Sequence, residues 1–576
     1  MRSFILILGP ALLCTSCVAV LEPQTTLNGN LLPYRSTGAS CKDNAWRLNE
    51  NGFVGAYIKL AAAGKVLFTI RASKTSPEAP APKLVLRVAD FATSWPVTAA
   101  GSNYSSHMQT WTLPAGTYCI RVENVNRRPL AINVRDLTIA GAAVLNTDPS
   151  ANALAAADTY VDHFRRGPAC LTLMGDKQPL ANTRVRIRLK RHAFNFGTCL
   201  ATPSWLTGQD RNDSNYRNFI IENFNTVVPE NAGKWTPNER VRDRVTLGDL
   251  DGIMKFAELN SKRVRMHGVL WDVAEPGWVD ALQNRAMKGT SQGERDAAKA
   301  DLRAEISERI GYLVRDRARR YYELDVINEG AHRPMYSRIY GPKGVAGIYN
   351  EVKAAAVAAG ASTRIVPNEY DVLQGSRGIK DPYANWYRKH IESLRSAGGA
   401  VDGIGIQYYA VAGAPPRLRV PHSPSRIAQV LHNLATTNLP LSMTEFGVQR
   451  HGAPTPQRAA DILAETLRLC FGHEKMTTFI NWGFWSSRIW SMAPAGALVD
   501  AEWKVTPSGM VWQQLTGVRN RTLGKLPMWT TDVSVTTDAH GRVNFVGFYG
   551  DYEITFAKQH RKFTLTKGTT DYKSAK

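Results

Sequence analysis

Two glutamates in this 576-residue chain follow apolar runs that read as buried strands: Glu329 in "LDVINEG" and Glu445 in "LSMTEFG". Leu324, Val326 and Ile327 suit a core, and a carboxyl group directly after them belongs at its rim. Two carboxyl groups that meet across one pocket can cleave a glycosidic bond: one protonates the leaving oxygen, while the other attacks the anomeric carbon or activates water. Separations of about 5–5.5 Å give a covalent intermediate and retention, and about 6.5–9.5 Å give inversion. The sequence leaves that choice open. Such closeness also raises the proton affinity of one of the pair. A single strand-end glutamate is more often a helix cap or an ion-pair partner, so the chemistry depends on the two being brought together.

The elements that would do so can be counted. Between about 165 and 516, eight strand-like runs ("AFNFGT", "FNTVVPEN", "RVRMHGVLW", "YELDVINE", "RIVPNEY", "DGIGIQYY", "LSMTEFG" and "FINWGFW") alternate with segments of helical periodicity such as 297–320 and 456–472. Eight repeats of strand then helix predict an α/β fold, a (β/α)8 TIM barrel. The polar residues cluster at the C-terminal ends of the runs: Glu230, His267, Glu329, Asn368, Gln407, Glu445 and Trp482. In a parallel barrel all those ends open onto one mouth, so these residues are expected to converge. Trp271, Trp482 and Trp490 offer flat faces for sugar rings, and Asn231, Lys234, His267, Asn328 and Gln407 offer partners for hydroxyls. Any one of these tryptophans, taken alone, reads as core.

The flanks are organised differently. Residues 22–145 carry short alternating runs broken by Gly, Pro and Asn, the pattern of an all-β sandwich. A linker at 146–164 leads into a helix near Tyr160, 165–516 is the barrel unit, and 517–576 is a short β-rich extension expected to pack on it. Residues 1–20 have the layout of a secretory signal, so export is expected, with lipid attachment at Cys17 as an alternative. No later run is long and apolar enough to span a membrane.

Seven cysteines lack metal-ligand spacing, so neither a metal nor another cofactor is expected. A Cys41–Cys119 disulfide competes with all the remaining cysteines being small buried hydrophobes. The net charge of +22 is spread along the chain rather than gathered in a run, which argues against a nucleic-acid partner and is compatible with attraction to an acidic polysaccharide. A monomer is expected.

The motifs "VVPENAGKW", "RVRMHGVLW", "DVINE", "VDGIGIQ", "MTEFG" and "NWGFW", in that order, resemble glycoside hydrolase family 10, the endo-β-1,4-xylanases. "LWDVAEPGWV" and "GFYGDYEITF" are similar to a branch in which a family 22-like carbohydrate-binding sandwich precedes the barrel. The resemblance implies a retaining enzyme that cuts internal bonds of xylan, or of a related plant cell-wall polysaccharide, by double displacement. Glu329 would be the acid/base, Glu445 the nucleophile, and Asn328 the partner of the substrate 2-hydroxyl. Glu230, Asn231, Lys234 and His267 would line the glycone side, with Trp482 and Trp490 as an aromatic wall.

Departures from the family pattern fall close to the chemistry. Tyr409 stands where a histidine usually bonds the nucleophile, and Ala274 where a sugar-contacting glutamine is common. Asp272, Leu324, Phe446 and Gly447 replace a usual His, Trp, Leu and Asp. A xylan-binding protein with slow turnover and a β-glycanase on another polymer are the alternatives. In the sandwich, exposure of Trp95 or Trp111 would favour sugar binding.

Overall fold

The computed structural model describes residues 23–573 except 37, 42, 127–129, 176–177, 202–210, 375–383, 414–419, 453, 517–527 and 557–558. The expected signal at 1–20 and Cys17 lie outside the described residues.

The first unit is two six-stranded antiparallel sheets, face to face. Its strands follow the period of two: in Gly64–Lys74, Val66, Phe68, Ile70 and Ala72 are buried while Lys65, Leu67, Thr69 and Arg71 are not. Strands Phe53–Leu60 and Gly116–Asn124 break the alternation and are buried almost throughout. The reason is a third layer, helix α1 (Pro149–Phe164), which covers their outer face. Residues 146–164 were expected as a linker with helix only near Tyr160; the helix instead begins at Pro149. Asp148 caps it by accepting from the Ser150 amide (2.9 Å), proline opens the first turn, and the Ala-rich sequence favours helix. Its other side meets the barrel helix Pro456–Gly472 (α2) closely: a Cβ on Gly472 would lie 2.2 Å from the Ala157 carbonyl oxygen. Arg121 of the sandwich pairs with Glu474 at 3.4 Å, and Asn51 donates to Glu392 at 3.3 Å.

The barrel closes from eight parallel strands in chain order: β1 (Asn195–Leu200), β2 (Thr226–Pro229), β3 (Arg263–Met266), β4 (Glu323–Asn328), β5 (Arg364–Glu369), β6 (Ile404–Ala410), β7 (Leu441–Val448) and β8 (Met476–Asn481). β1 pairs with β8, which completes the ring. The barrel proper starts at Asn195, later than the expected 165. Strands Arg166–Thr172 and Arg184–His192 pair instead with the C-terminal strands Asp532–Thr536, Arg542–Phe548, Gly550–Phe556 and Asp571–Lys573. The alternation of "RVRIRLKRH" specifies a strand with Val185, Ile187 and Leu189 buried, but alternation names no partner.

Cys41, Cys119, Cys170, Cys199 and Cys470 are all free thiols. Cys41 faces the Asn133 side chain at 3.6 Å, and Cys119 is buried on the opposite sheet, so the Cys41–Cys119 bridge, one of the two alternatives, is not formed; of the five thiols Cys119, Cys199 and Cys470 are buried and Cys41 and Cys170 only partly so. Among the described residues no helix is long and apolar enough to cross a membrane.

Candidate active site

Glu329 is the first residue beyond β4. Its φ of +59° is left-handed, and its amide donates to the Asn368 carbonyl at 2.7 Å, so the chain leaves the barrel wall in a conformation costly for a non-glycine residue. The carboxyl group accepts from the Trp271 indole (3.0 Å) and from the Gln407 amide (3.4 Å). Arg333, one turn onward, approaches it at 3.3 Å while also lying 3.8 Å from Asp272.

Glu445 projects from β7 and is buried. Tyr409 donates its hydroxyl to one carboxyl oxygen at 2.6 Å, and Asn368 donates its amide to the other at 3.1 Å. The two glutamates share a scaffold. Asn328 Oδ1 accepts from Asn368 Nδ2 (2.9 Å) and from Gln407 Nε2 (3.3 Å), joining the donors of Glu445 to those of Glu329. Thr444 donates to Asn368 Oδ1 at 2.5 Å, which leaves the Asn368 NH2 to face the carboxylate.

Burial dominates the electrostatics. It pushes Glu445 up to about 8, against the Tyr409 hydrogen bond that lowers it, and the charge of Glu329 raises it further. Glu329 is also raised by burial, with the Trp271 bond opposing. The pair therefore keeps a proton through neutrality. Burial likewise raises Glu230 and lowers Lys234, each partly offset by the other's charge.

The remaining predicted residues gather at the same mouth. Lys234 donates to Asn231 at 2.9 Å, with its ammonium 4.9 Å above the Trp271 ring. His267 is buried and bonds Asp325 through Nδ1 at 2.9 Å; desolvation lowers its pKa against the pull of that carboxylate. Trp482 meets the His267 ring edge-on at 5.4 Å and is buried, whereas Trp490 meets Tyr409 at 4.6 Å and stays 43% exposed. Ala274 contributes backbone, its carbonyl accepting from Thr236 at 2.9 Å.

Three neighbours escaped the list of site residues read from sequence. Asn368 stood among the strand-end polar residues, yet its bridging place needs the β5–β7 geometry. Thr444 sits beside Glu445 in the chain, and Arg333 follows Glu329 by one helical turn; neither type by itself signals a site. Among the described residues, metal-like spacing occurs only at Glu239, Asp243 and Glu305, where Arg242 already pairs with Glu305.

The model of glycosyl hydrolase family 10 matches residues 187–508, more than half of the sequence. The chain belongs to that family. Among curated relatives, the anti-sigma-I factor RsgI6 of Acetivibrio thermocellus is 28% identical over 386 residues, covering 66% of this chain and 43% of its own length. Endo-1,4-beta-xylanase 1 of Arabidopsis thaliana is 24% identical over 420 residues (73% and 39%), and endo-1,4-beta-xylanase 3 of Hypocrea jecorina 26% over 341 (58% and 85%). The chain thus spans about 40% of the length of the first two. A crystal structure of xylanase 10B from Thermotoga maritima aligns at 20% identity with a TM-score of 0.46, over 56% of this chain and 94% of that one. The family 10 match takes in all eight barrel strands and leaves the sandwich, α1 and the C-terminal strands outside it.

Proposed function

We propose that this family 10 member is an exported retaining endo-1,4-β-xylanase acting by double displacement. The reading is carried by the shared scaffold: Glu329 and Glu445, 116 positions apart in sequence, are held by donors that meet on Asn328 Oδ1. In the productive form Glu445 is ionised and Glu329 holds the proton. Glu445 attacks the anomeric carbon as Glu329 protonates the departing oxygen; Glu329 then takes a proton from water, which releases the sugar from Glu445. The Tyr409 and Asn368 donors to Glu445 favour its ionised form. Asn328 would bond the substrate 2-hydroxyl, Glu230, Asn231, Lys234 and His267 the glycone hydroxyls, and Trp482 and Trp490 would flank the rings.

Purified Glu445→Ala and Glu329→Ala proteins are expected to fold as the parent does and to release almost no xylo-oligosaccharide from soluble xylan. On an activated aryl β-xylobioside, azide should rescue Glu445→Ala to give an α-azide, and Glu329→Ala to give a β-azide. Undiminished release from either variant removes the assigned role, and exchanged azide products would swap the two.

The sandwich is proposed as a polysaccharide-binding module on its position before the barrel. Trp95 and Trp111 are both half-buried at the open edge between the sheets, Trp111 against Phe68 and Phe91, and Trp95 against His107. Retention of the Glu445→Ala protein on insoluble xylan, lost in a Trp95→Ala/Trp111→Ala version, is the expected outcome; retention unchanged would place the binding elsewhere.

A further inference from the structure

Tyr409 on β6 and Gly447 on β7 are cross-strand partners, and Glu445 lies two residues before Gly447 on the same face of its strand. A side chain at 447 would compete with the phenol for space. A Cβ added there would stand 3.0 Å from Cδ1 and 3.2 Å from Cε1 of the Tyr409 ring, and 2.9 Å from the Ala493 Cβ. Trp490 meets the ring edge-on. From this seat the hydroxyl reaches Glu445 at 2.6 Å, the length of a charge-assisted O–H···O bond.

We propose that Tyr409 is the positioning residue of Glu445, orienting its carboxylate, and that the missing side chain at Gly447 is the space this phenol requires. The inference rests on the reading of Glu445 as nucleophile and adds the device that aims it. Burial and the adjacent carboxylate hold the Tyr409 hydroxyl well above its ordinary pKa, so the donor stays protonated and neutral wherever the enzyme works. The other ionisable and charged groups acting on Glu445 are Glu329 beyond β4, Asp325 on β4, Arg265 on β3, Lys234 after β2, and the Cys199 thiol on β1. All of them remain in Tyr409→Phe, so a change in that variant reports the lost hydroxyl.

Full-length parent, Tyr409→Phe and Gly447→Ala proteins would be assayed on 4-nitrophenyl β-xylobioside from roughly pH 4 to 10. Tyr409→Phe is expected to lower kcat by about 10- to 100-fold with KM within about threefold, as for a lost bond to a charged group. Its acidic limb of kcat/KM should move upward, because a donor to the carboxylate form is gone. Gly447→Ala should displace the ring and move the same limb with a smaller loss of rate. An unmoved limb in Tyr409→Phe overturns the proposal. If the parent does not cleave the glycoside, it is the nucleophile reading that fails. A carbon-13 titration of the Glu445 carboxyl, assigned through Glu445→Gln, then decides alone: an upward shift in Tyr409→Phe supports the positioning role and no shift ends it.

Discussion

Glu323 and Asp325, inside the barrel on β4, are met by cations, whereas Glu329 and Glu445 at its mouth are met mainly by neutral donors. Arg265 pairs with Glu323 at 2.9 Å and donates to Asp325 at 2.8 Å, Arg364 reaches Glu323 at 2.8 Å, and Ser442 donates to Glu323 at 2.9 Å. Burial alone would raise Asp325, yet Arg265 and His267 outweigh it and the group ends below its ordinary value. Burial raises Glu445 and Glu329, and the bonds from Tyr409 and Trp271 do not cancel it. Carboxylates a few residues apart thus serve opposite ends. A charge neutralised inside the barrel is suited to holding strands and neighbouring side chains in place, while one left short of counter-charge is suited to accepting and releasing protons or bonding to carbon.

The largest expected effect lies in the upper layer, Glu329 and Glu445 at the mouth, rather than in the lower layer, Glu323 and Asp325 inside the barrel. Glu445→Gln keeps the shape and removes the charge, and should lower kcat on xylan by on the order of 10,000-fold with the fold intact by circular dichroism. A loss under about tenfold would mean that Glu445 is not distinguished from its paired neighbours below. The lower layer should respond the other way. Arg265→Met removes the cation shared by two buried carboxylates, leaving Glu323 to Arg364 and Ser442 and Asp325 to His267, and is expected to cost about 3–5 kcal/mol in urea unfolding, as for a broken buried pair. A cost below about 1 kcal/mol would remove the structural role given to that layer.

The contrast between layers explains what the sequence could disclose. The eight strands were legible because each apolar run ends in polar residues, and that same feature placed Glu230, His267, Glu329, Gln407 and Glu445 at one mouth. Which carboxylates are neutralised was not legible: Asp325 and Glu329 share one short stretch, and their difference depends on Arg265 arriving from β3. Asn368 bridges only because β5 lies between β4 and β6 in the closed ring. The helix at 149–164 was hidden by a composition that suits both a linker and a helix, and the two strands ahead of the barrel by partners more than 300 residues away.

The layers should also show opposite dependence of stability on pH. Glu445 has its folded pKa raised from 4.5 to about 8, so between those values the folded state binds more protons than the unfolded chain and stability falls as pH rises. Glu445→Gln lacks that fall, and its advantage in melting temperature over the parent should grow from about pH 4.5 to about pH 8. Asp325 is lowered from 3.8, so its contribution is present above that value and is lost as pH falls through the folded pKa. The gap between the parent and Asp325→Asn should therefore close below about pH 3.8. Curves running parallel in either comparison would remove the distinction.

The smallest effect belongs to the rim. Trp490 is 43% exposed and Trp482 is buried against His267, although both read alike as aromatic wall. Exposed aromatic surface costs little to remove from the fold, so Trp490→Ala should change unfolding free energy by no more than about 0.5 kcal/mol. A sugar ring that loses this face loses roughly 0.5–1.5 kcal/mol, which corresponds to a KM about 2- to 12-fold higher with kcat nearly kept. Trp482→Ala should instead destabilise the barrel by about 3–5 kcal/mol, since it empties a packed site. Isothermal titration of a non-hydrolysed xylo-oligosaccharide into Glu445→Gln with and without Trp490→Ala separates binding from turnover. Equal affinity in the two proteins would show that this tryptophan faces the mouth without touching what enters it.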